Sequence, residues 1–206
     1  MVASAPWRWR APFVELVRCA DSVLAADGGA NHLARIGVRP HAVVGDLDSI
    51  LPGVRRWVGE ERMVPRPDQE FTDLHKTLAH AFDELGAGEV TVLAATGGRL
   101  DHAVENLALL ARWASRGALE LRDEWHRTVP VIETSEFVTA AGQRISLMPV
   151  GRCERVWTRG LHWELSGEPL DLVGRTGVSN LAEGQHVEVR VEGGAVLVFV
   201  SEPVGD

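Results

Sequence analysis

Ala42-Val43-Val44-Gly45-Asp46-Leu47-Asp48-Ser49 is a short apolar run that ends in Gly-Asp and then sets two carboxylates one residue apart. A run of this length bounded by turn residues reads as a strand covered on both faces, the kind found in parallel sheets. The same pattern appears on either side of it. Ser22 to Ala26 stops at Asp27-Gly28-Gly29-Ala30-Asn31, and Glu89 to Ala95 stops at Thr96-Gly97-Gly98. Helical spacings alternate with these runs: Leu74, Leu78, Ala81, Phe82 and Leu85 follow Thr72, a candidate N-cap, and end at Gly86. Ala103, Val104, Leu107, Leu110, Ala111 and Ala114 follow Asp101 and end at Gly117. Strand, loop and helix in repetition predict an α/β domain with a mainly parallel sheet over residues 1–124.

From residue 125 the period changes. Val129 to Ile132, Arg144 to Met148 and Leu170 to Val173 are short and apolar-rich, and His186 to Val191 and Ala195 to Val200 flank Glu192-Gly193-Gly194 as the arms of an expected β-hairpin. No helix-length pattern follows, so residues 125–206 are expected to form a small all-β sandwich joined through Trp125 to Pro130.

With 45% hydrophobic and 24% charged residues, the chain of 206 residues can bury a core. Its 21 Lys and Arg against 29 Asp and Glu leave a net charge of -8, which repels polyphosphate and argues against a nucleic-acid or anionic-membrane binder. Any phosphate bound here is expected to arrive with a cation. Apolar stretches fall short of the roughly 18 residues of a membrane span, and Met1 to Phe13 has no apolar signal core. Cys19 and Cys153 match no metal spacing and are expected as free buried thiols, in keeping with a cytoplasmic location.

The acids gather where an open α/β sheet binds ligands, at the carboxyl ends of its strands. Asp27 closes one strand and Asp46 and Asp48 close another, while Asp68, Gln69, Thr72 and Asp73 lead into one helix and Gly97, Gly98, Arg99, Asp101 and His102 into a second. In extended backbone an Asp-x-Asp pair points both side chains the same way. Two carboxylates about 4 Å apart at an effective dielectric of about 20 repel by roughly 4 kcal/mol, so the cluster calls for a cation or a raised pKa. All-oxygen donors select Mg²⁺, Mn²⁺ or Ca²⁺ over zinc. Asp27 or Asp101 taken singly is explained as a turn former or cap. Gly97-Gly98 taken singly is a tight turn, but with Arg99 and a helix start it reads as a phosphate cradle. Lys76 is the one lysine among the 21 basic residues, and it is either a phosphate contact or a solvated helix residue. Gly-Lys-Ser/Thr, GxGxxG, HExxH and GxSxG patterns are missing, which removes the familiar P-loop, dinucleotide, zinc-hydrolase and serine-hydrolase readings.

Taken in order, Asp27-Gly28-Gly29-Ala30-Asn31, Gly45-Asp46-Leu47-Asp48-Ser49, Asp68-Gln69-x-x-Thr72-Asp73-x-x-Lys76, Thr96-Gly97-Gly98-Arg99-x-Asp101-His102-x-x-x-Asn106, Gly160-Leu161-His162-Trp163-x-Leu165 and Ser179-Asn180 resemble the thiamine pyrophosphokinase family from about Leu24 to Val200. The resemblance implies an α/β nucleotide domain followed by a β-sandwich, in a homodimer whose sites are shared between one subunit's α/β domain and the other's sandwich. It implies attack of the thiamine hydroxyl on the β-phosphorus of ATP, with AMP leaving. Carried over by position, Asp46, Asp48 and Asp73 would hold Mg²⁺, with Mn²⁺ as the alternative. Asp27, Gln69, Thr72, Lys76, Gly97, Gly98 and Arg99 would face ATP, Asp101 would order the second phosphate loop, and Ser179 and Asn180 would face thiamine. The general base would be Asp73 or Asp101. Two departures stand out: Met1 to Pro12 is short and Trp/Arg-rich where the family usually carries a full first strand, and no aromatic follows Ser179-Asn180. Trp163 is therefore the candidate ring against thiamine, with a place in the sandwich core as its plainer explanation. Another Asp-x-Asp metal-dependent nucleotide transferase, or a catalytically silent nucleotide- or thiamine-binding regulator, would share these residues.

Overall fold

The apolar runs beside the acidic loops are strands because both their faces are covered. Leu24–Ala26 (β1) and Ala42–Gly45 (β2) are buried at every position and pair in parallel, with Ala25 opposite Val43. Met63–Pro65 (β3) continues the parallel order, Val44 lying opposite Val64. These positions belong to a computed structural model that describes residues 1–202, in which the chain divides into two compact units, Met1–Asn106 and the remainder from Leu107.

The amino-terminal segment, expected to lack the first strand, pairs as one at Val2 through isolated bridges. Val2 bridges in parallel to both Ala25 and Leu93. Its N–H donates to the Leu24 carbonyl and its own carbonyl accepts from Ala26, while Ala3 and Ala5 donate to the carbonyls of Leu93 and Ala94. Residues 2–5 therefore run between β1 and the end of Glu89–Val92 (β4). The signal was hidden because Val2-Ala3-Ser4-Ala5 is short and small, and small side chains are what a fully enclosed strand under helices accepts. Trp7 then packs edge-on against Phe13 of Ala11–Arg18 (α1), with ring centroids 5.0 Å apart. Gly29 opens Gly29–Arg35 (α2), and a Cβ there would lie 2.1 Å from the Val2 carbonyl oxygen. Only glycine lets α2 sit this close to the strand.

Three further helices complete the α/β unit and lead out of it. Pro52–Val58 (α3) follows the acidic loop. Asp73–Ala79 (α4) starts at Thr72, whose Oγ1 accepts the His75 N–H at 3.4 Å, and it relaxes into one π-helical turn over His80–Glu84. Leu100–Trp113 (α5) runs from the first unit into the second. It buries Asn106, Leu109, Leu110 and Trp113 and leaves Val104 60% exposed, a face rotated from the expected one. Covering Leu109 and Trp113 removes more apolar area from water than covering Val104 and Ala103.

The second unit is built from strands alone after α5. One antiparallel sheet has the order Ser166–Asp171 (β10), Arg152–Arg159 (β9), His186–Glu192 (β12), Thr134–Val138 (β7). The other includes, in order, Gly177–Leu181 (β11), Arg144–Val150 (β8), Ala195–Ser201 (β13), His126–Val131 (β6) and Ala118–Arg122 (β5). Phe137, Val156, Val187 and Val189 from the first sheet pack with Ile145, Leu147, Val196 and Val198 from the second in one core.

Several expectations change here. β12 and β13 do not form a hairpin: β12 pairs with β7 and β9, and β13 with β6 and β8, so Gly193-Gly194 carries the chain from one sheet to the other. Both β12 and β13 alternate toward the same core, and a face-to-face pair buries both apolar faces where a hairpin would leave one partnerless. Trp125 to Pro130 is not a linker but mostly β6. Gly177-Val178-Ser179-Asn180, too polar and glycine-rich for a buried strand, lies in the edge strand β11, whose irregular pairing with β8 tolerates that sequence. Leu172 and Val173 lie beyond β10 in an exposed turn in which Val173 N–H donates to Asp171 Oδ1. Cys153 is a buried free thiol as expected, whereas Cys19 is free but exposed just past α1. Among the described residues no helix is long and apolar enough to cross a membrane.

Candidate active site

The end of β2 is crowded with acid, and its backbone is shaped to allow that. Gly45 has φ 154°, and a Cβ there would meet Asp73 Oδ1 at 2.8 Å and Asp27 Cβ at 2.9 Å. Asp27 and Leu47 sit at φ 40° and 69°, uncommon values for residues with a Cβ and a form of local strain that collects at functional sites. Asp46 and Asp48 thus converge through a left-handed turn at Leu47 and not through the extended backbone that their spacing had suggested. Asp48 N–H donates to Asp46 Oδ1 at 3.3 Å, Ser49 N–H to Asp27 Oδ2 at 3.2 Å, and Ser49 Oγ to Asp48 Oδ1 at 2.8 Å. Asn31 clamps the loop from α2, giving its Nδ2–H to the Ser49 carbonyl at 2.9 Å and accepting from Leu51 N–H at 3.0 Å.

In this arrangement Asp27, Asp46 and Asp48 each offer an oxygen within 4.8 Å of the others. Asp27 is 3% exposed and its Oδ1 is buried without a hydrogen-bond partner. Burial pushes the Asp27 carboxyl above its ordinary pKa, with the neighbouring Asp73 and Asp46 adding to the rise. Asp46 is held below the ordinary range, chiefly by the amide of Gln69, whose Nε2 donates to its Oδ2 at 3.2 Å. An orphaned buried oxygen on a carboxylate that lies within 4.8 Å of two others fits a divalent cation bound through oxygen. Asp73, expected as a ligand, stands against Gly45 with its carboxyl raised by burial and its Oδ1 3.5 Å from Lys76 Nζ.

Lys76 is not the solvated helix residue considered for it, and it contributes to the lining of the cleft that Asp46 and Asp73 share. It is 7% exposed, and its ammonium donates to the carbonyls of Arg66 at 2.9 Å and Asp68 at 2.6 Å besides facing Asp73. All three of its donor directions are taken by the protein. It fastens the 66–68 loop to α4.

Gly97 and Gly98 have φ 96° and 65°, and a Cβ at Gly98 would press on the Pro6 ring at 2.7 Å. Beside them Arg99 forms a two-point pair with Asp101, at 3.2 and 2.5 Å, that holds the exposed Asp101 carboxyl down to about 2. Asn106, reaching back from α5, donates to the Ala95 carbonyl at 2.8 Å and steadies the loop from behind. Asp46, Gln69, Thr72, Asp73, Gly97 and Arg99 line one cleft of about 440 Å³, which Ser4, Ala5 and Pro6 wall on another side. Phe71 and His102 line it as well; His102 stood in the motif without an assigned role, and Phe71 was absent from the expected site. Phe71 carried no signal, being one apolar residue in a polar loop.

In the second unit, Ser179 is exposed on β11 at φ 63°, its N–H donating to Ser146 Oγ at 3.0 Å. Asn180 is 5% exposed, accepts from the N–H groups of Trp163 at 3.1 Å and Leu181 at 2.9 Å, and donates to the Trp163 carbonyl at 2.8 Å. Its amide holds the Trp163 turn. Trp163 itself is 58% exposed and meets the His162 ring edge-on at 4.5 Å, so the explanation as a core residue fails. His162 Nδ1 lies 3.1 Å from Glu183 Oε1.

Residues 13–120 match the family model for the thiamin pyrophosphokinase catalytic domain, and residues 131–196 match that for the thiamin pyrophosphokinase vitamin B1 binding domain. Thiamine pyrophosphokinase 1 of Oryza sativa subsp. japonica is 28% identical over 194 residues, covering 81% of this chain and 74% of the relative. Thiamine pyrophosphokinase 1 of Arabidopsis thaliana is 27% identical over 198 residues, covering 81% and 73%. The fold is that of the thiamine pyrophosphokinase from Bacillus subtilis, at TM-score 0.81 and 20% identity over 97% of this chain and 96% of that one. It is equally that of the thiamin pyrophosphokinase from Candida albicans, at TM-score 0.80 and 16% identity over 97% and 88%. With the catalytic-domain match alone spanning more than half of its length and the acidic residues of the cleft inside that match, the chain belongs to the thiamin pyrophosphokinase family.

Proposed function

We propose that this protein transfers the pyrophosphoryl group of ATP to the hydroxyl of thiamine, giving thiamine diphosphate and AMP. The observation that carries the reading is the convergence of Asp27 and Asp48 on Asp46, which itself lines the cleft that holds Gln69, Thr72, Asp73, Gly97 and Arg99. Asp27, Asp46 and Asp48 would hold Mg²⁺ or Mn²⁺, with Asp73 beside them. When bound, the cation supplies neutralisation of the triphosphate charge that a chain of net charge -8 cannot supply by itself. Gln69 and Thr72 face the triphosphate, and Gly97, Gly98 and Arg99 form the second phosphate loop, with Asp101 fixing the guanidinium. Lys76, also in the cleft lining, holds the loop carbonyls and Asp73. Of the two carboxylates open to the role of general base, Asp101 is held at about 2 by Arg99, which favours Asp73.

On the thiamine side, the exposed Trp163 ring is the stacking face, Ser179 stands nearby in the chain's second unit, and Asn180 sets the Trp163 turn. The reading includes a homodimer in which each site draws on the α/β unit of one subunit and the β unit of the other. Incubation with ATP, Mg²⁺ and thiamine, with chromatographic detection, tests the reaction: AMP and thiamine diphosphate in equal amounts are expected. Thiamine monophosphate with ADP would replace the reaction by an ordinary kinase step. Ligand binding with no product would leave a regulator.

A further inference from the structure

Phe71 is the largest apolar side chain lining the cleft that it shares with Asp46, Gln69, Glu70, Arg99 and His102, and it remains 43% exposed. It directly precedes Thr72, the N-cap of α4. Apolar residues at that position commonly fold back on the fourth helical residue. Here the fourth residue is the buried Lys76, and Phe71 lies instead on the third, His75, with ring centroids 4.2 Å apart and planes inclined by 29°. The imidazole covers part of the ring and fixes its tilt, while the rest stays open.

We propose that Phe71, backed by His75, is the stacking face on which the nucleotide's base rests, an assignment that builds on the reading of the cleft as the nucleotide site. The chain order favours the nucleotide: Gln69 and Thr72, assigned to the triphosphate, flank Phe71 within two residues, so the ring covalently tied to that triphosphate is the one brought near. An aromatic face is indifferent to the hydrogen-bonding edge of a base. The position therefore contributes affinity for nucleoside triphosphates in general and little choice among their bases.

Calorimetric titration in Mg²⁺ with the α,β-methylene analogue of ATP, with inorganic tripolyphosphate and with thiamine, on wild type, Phe71→Ala and Phe71→Trp, tests this. Phe71→Ala should weaken the nucleotide analogue at least fivefold, the low end for one base–aromatic stack, and leave tripolyphosphate within twofold. Phe71→Trp should restore the nucleotide. The analogues of ATP and GTP should lose affinity alike. Unchanged nucleotide affinity, an equal loss for tripolyphosphate, or a loss confined to thiamine would each overturn the proposal. The binding contrast is read without turnover, so a wild-type protein that forms no thiamine diphosphate would refute the proposed reaction while leaving this assignment standing.

Discussion

Asp27 is the residue on which the site's energetics turn, because its buried Oδ1 has no partner and its neighbours are acids. Asparagine tolerates the left-handed backbone that Asp27 adopts, can still accept from Ser49 N–H, and offers an N–H to the facing carboxylates. In the absence of divalent ions, Asp27→Asn should melt a few degrees above wild type, about 1 kcal/mol at 2–4 °C per kcal/mol for a chain of this size. Adding Mg²⁺ should raise the melting temperature of wild type and not that of the variant, and turnover should be lost. A variant that melts below wild type without metal would show that the cluster is not self-repelling. Lys76 makes the opposite case. Lys76→Met leaves the Arg66 and Asp68 carbonyls without their charged donor, and a loss of about 2–3 kcal/mol in a denaturant titration is expected. The lysine could be singled out from composition, but its direction could not, since a buried ammonium and a phosphate-facing one have the same sequence signature. Asn180 repeats the lesson: a residue chosen because its amide can donate and accept proves to do both, to the backbone of Trp163.

At the level of elements, what the period of the sequence encodes was legible and what pairing encodes was not. β1, β2 and the Thr72 cap of α4 follow from local runs and a single side chain, whereas the pairing of Val2 and its neighbours exists only because Leu24, Leu93 and Ala94 lie on either side of them. Gly193-Gly194 shows the same limit, because a turn signal does not say which strand comes next in space. Gly194 has φ 149°, and a Cβ there would lie 2.7 Å from the Arg152 carbonyl oxygen and 2.9 Å from Cys153 Sγ. Gly194→Ala should therefore cost about 2 kcal/mol or more in thermal or chemical unfolding, while an ordinary exposed hairpin glycine would cost well under half of that. α2 carries a pH dependence. Its His32 is buried, with Nδ1 unpartnered, and burial lowers its pKa from 6.5, offset in part by the Ala5 and Ser4 backbone. The folded state then binds fewer protons than the unfolded chain below 6.5, so the stability contributed by neutral His32 is present above that pH and lost as pH falls through the lowered value. The melting difference between wild type and His32→Gln should accordingly move against wild type between pH 7 and pH 5. A constant difference would remove His32 as the source.

On the scale of the whole molecule, the chain separates phosphate chemistry from alcohol recognition. The acidic cleft lies entirely within residues 3–106, and the exposed Trp163 with Ser179 and Asn180 lies within the β unit, each set fastened by hydrogen bonds inside its own unit. Family motifs made both sets legible at once, since they occur in order along one chain, but motif order says nothing about which copies meet. Homodimerisation with shared sites makes a quantitative demand on mixtures. Asp48→Asn disables a site through its α/β side and Trp163→Ala through its β side, so each variant alone should be close to inactive in the product assay, while sedimentation gives twice the chain mass of 22.4 kDa. If each site takes its two sides from different subunits, a mixed dimer has one site carrying both lesions and one carrying neither. Random reassortment of equal amounts makes half the dimers mixed, so the mixture should recover about a quarter of wild-type activity. Sites contained within single subunits would leave every site with one lesion, and the mixture would stay as inactive as its parents. A mixture that reassorts, by sedimentation of differently tagged chains, yet recovers nothing would therefore place both substrates on one subunit and remove the reason for the dimer to be catalytically required.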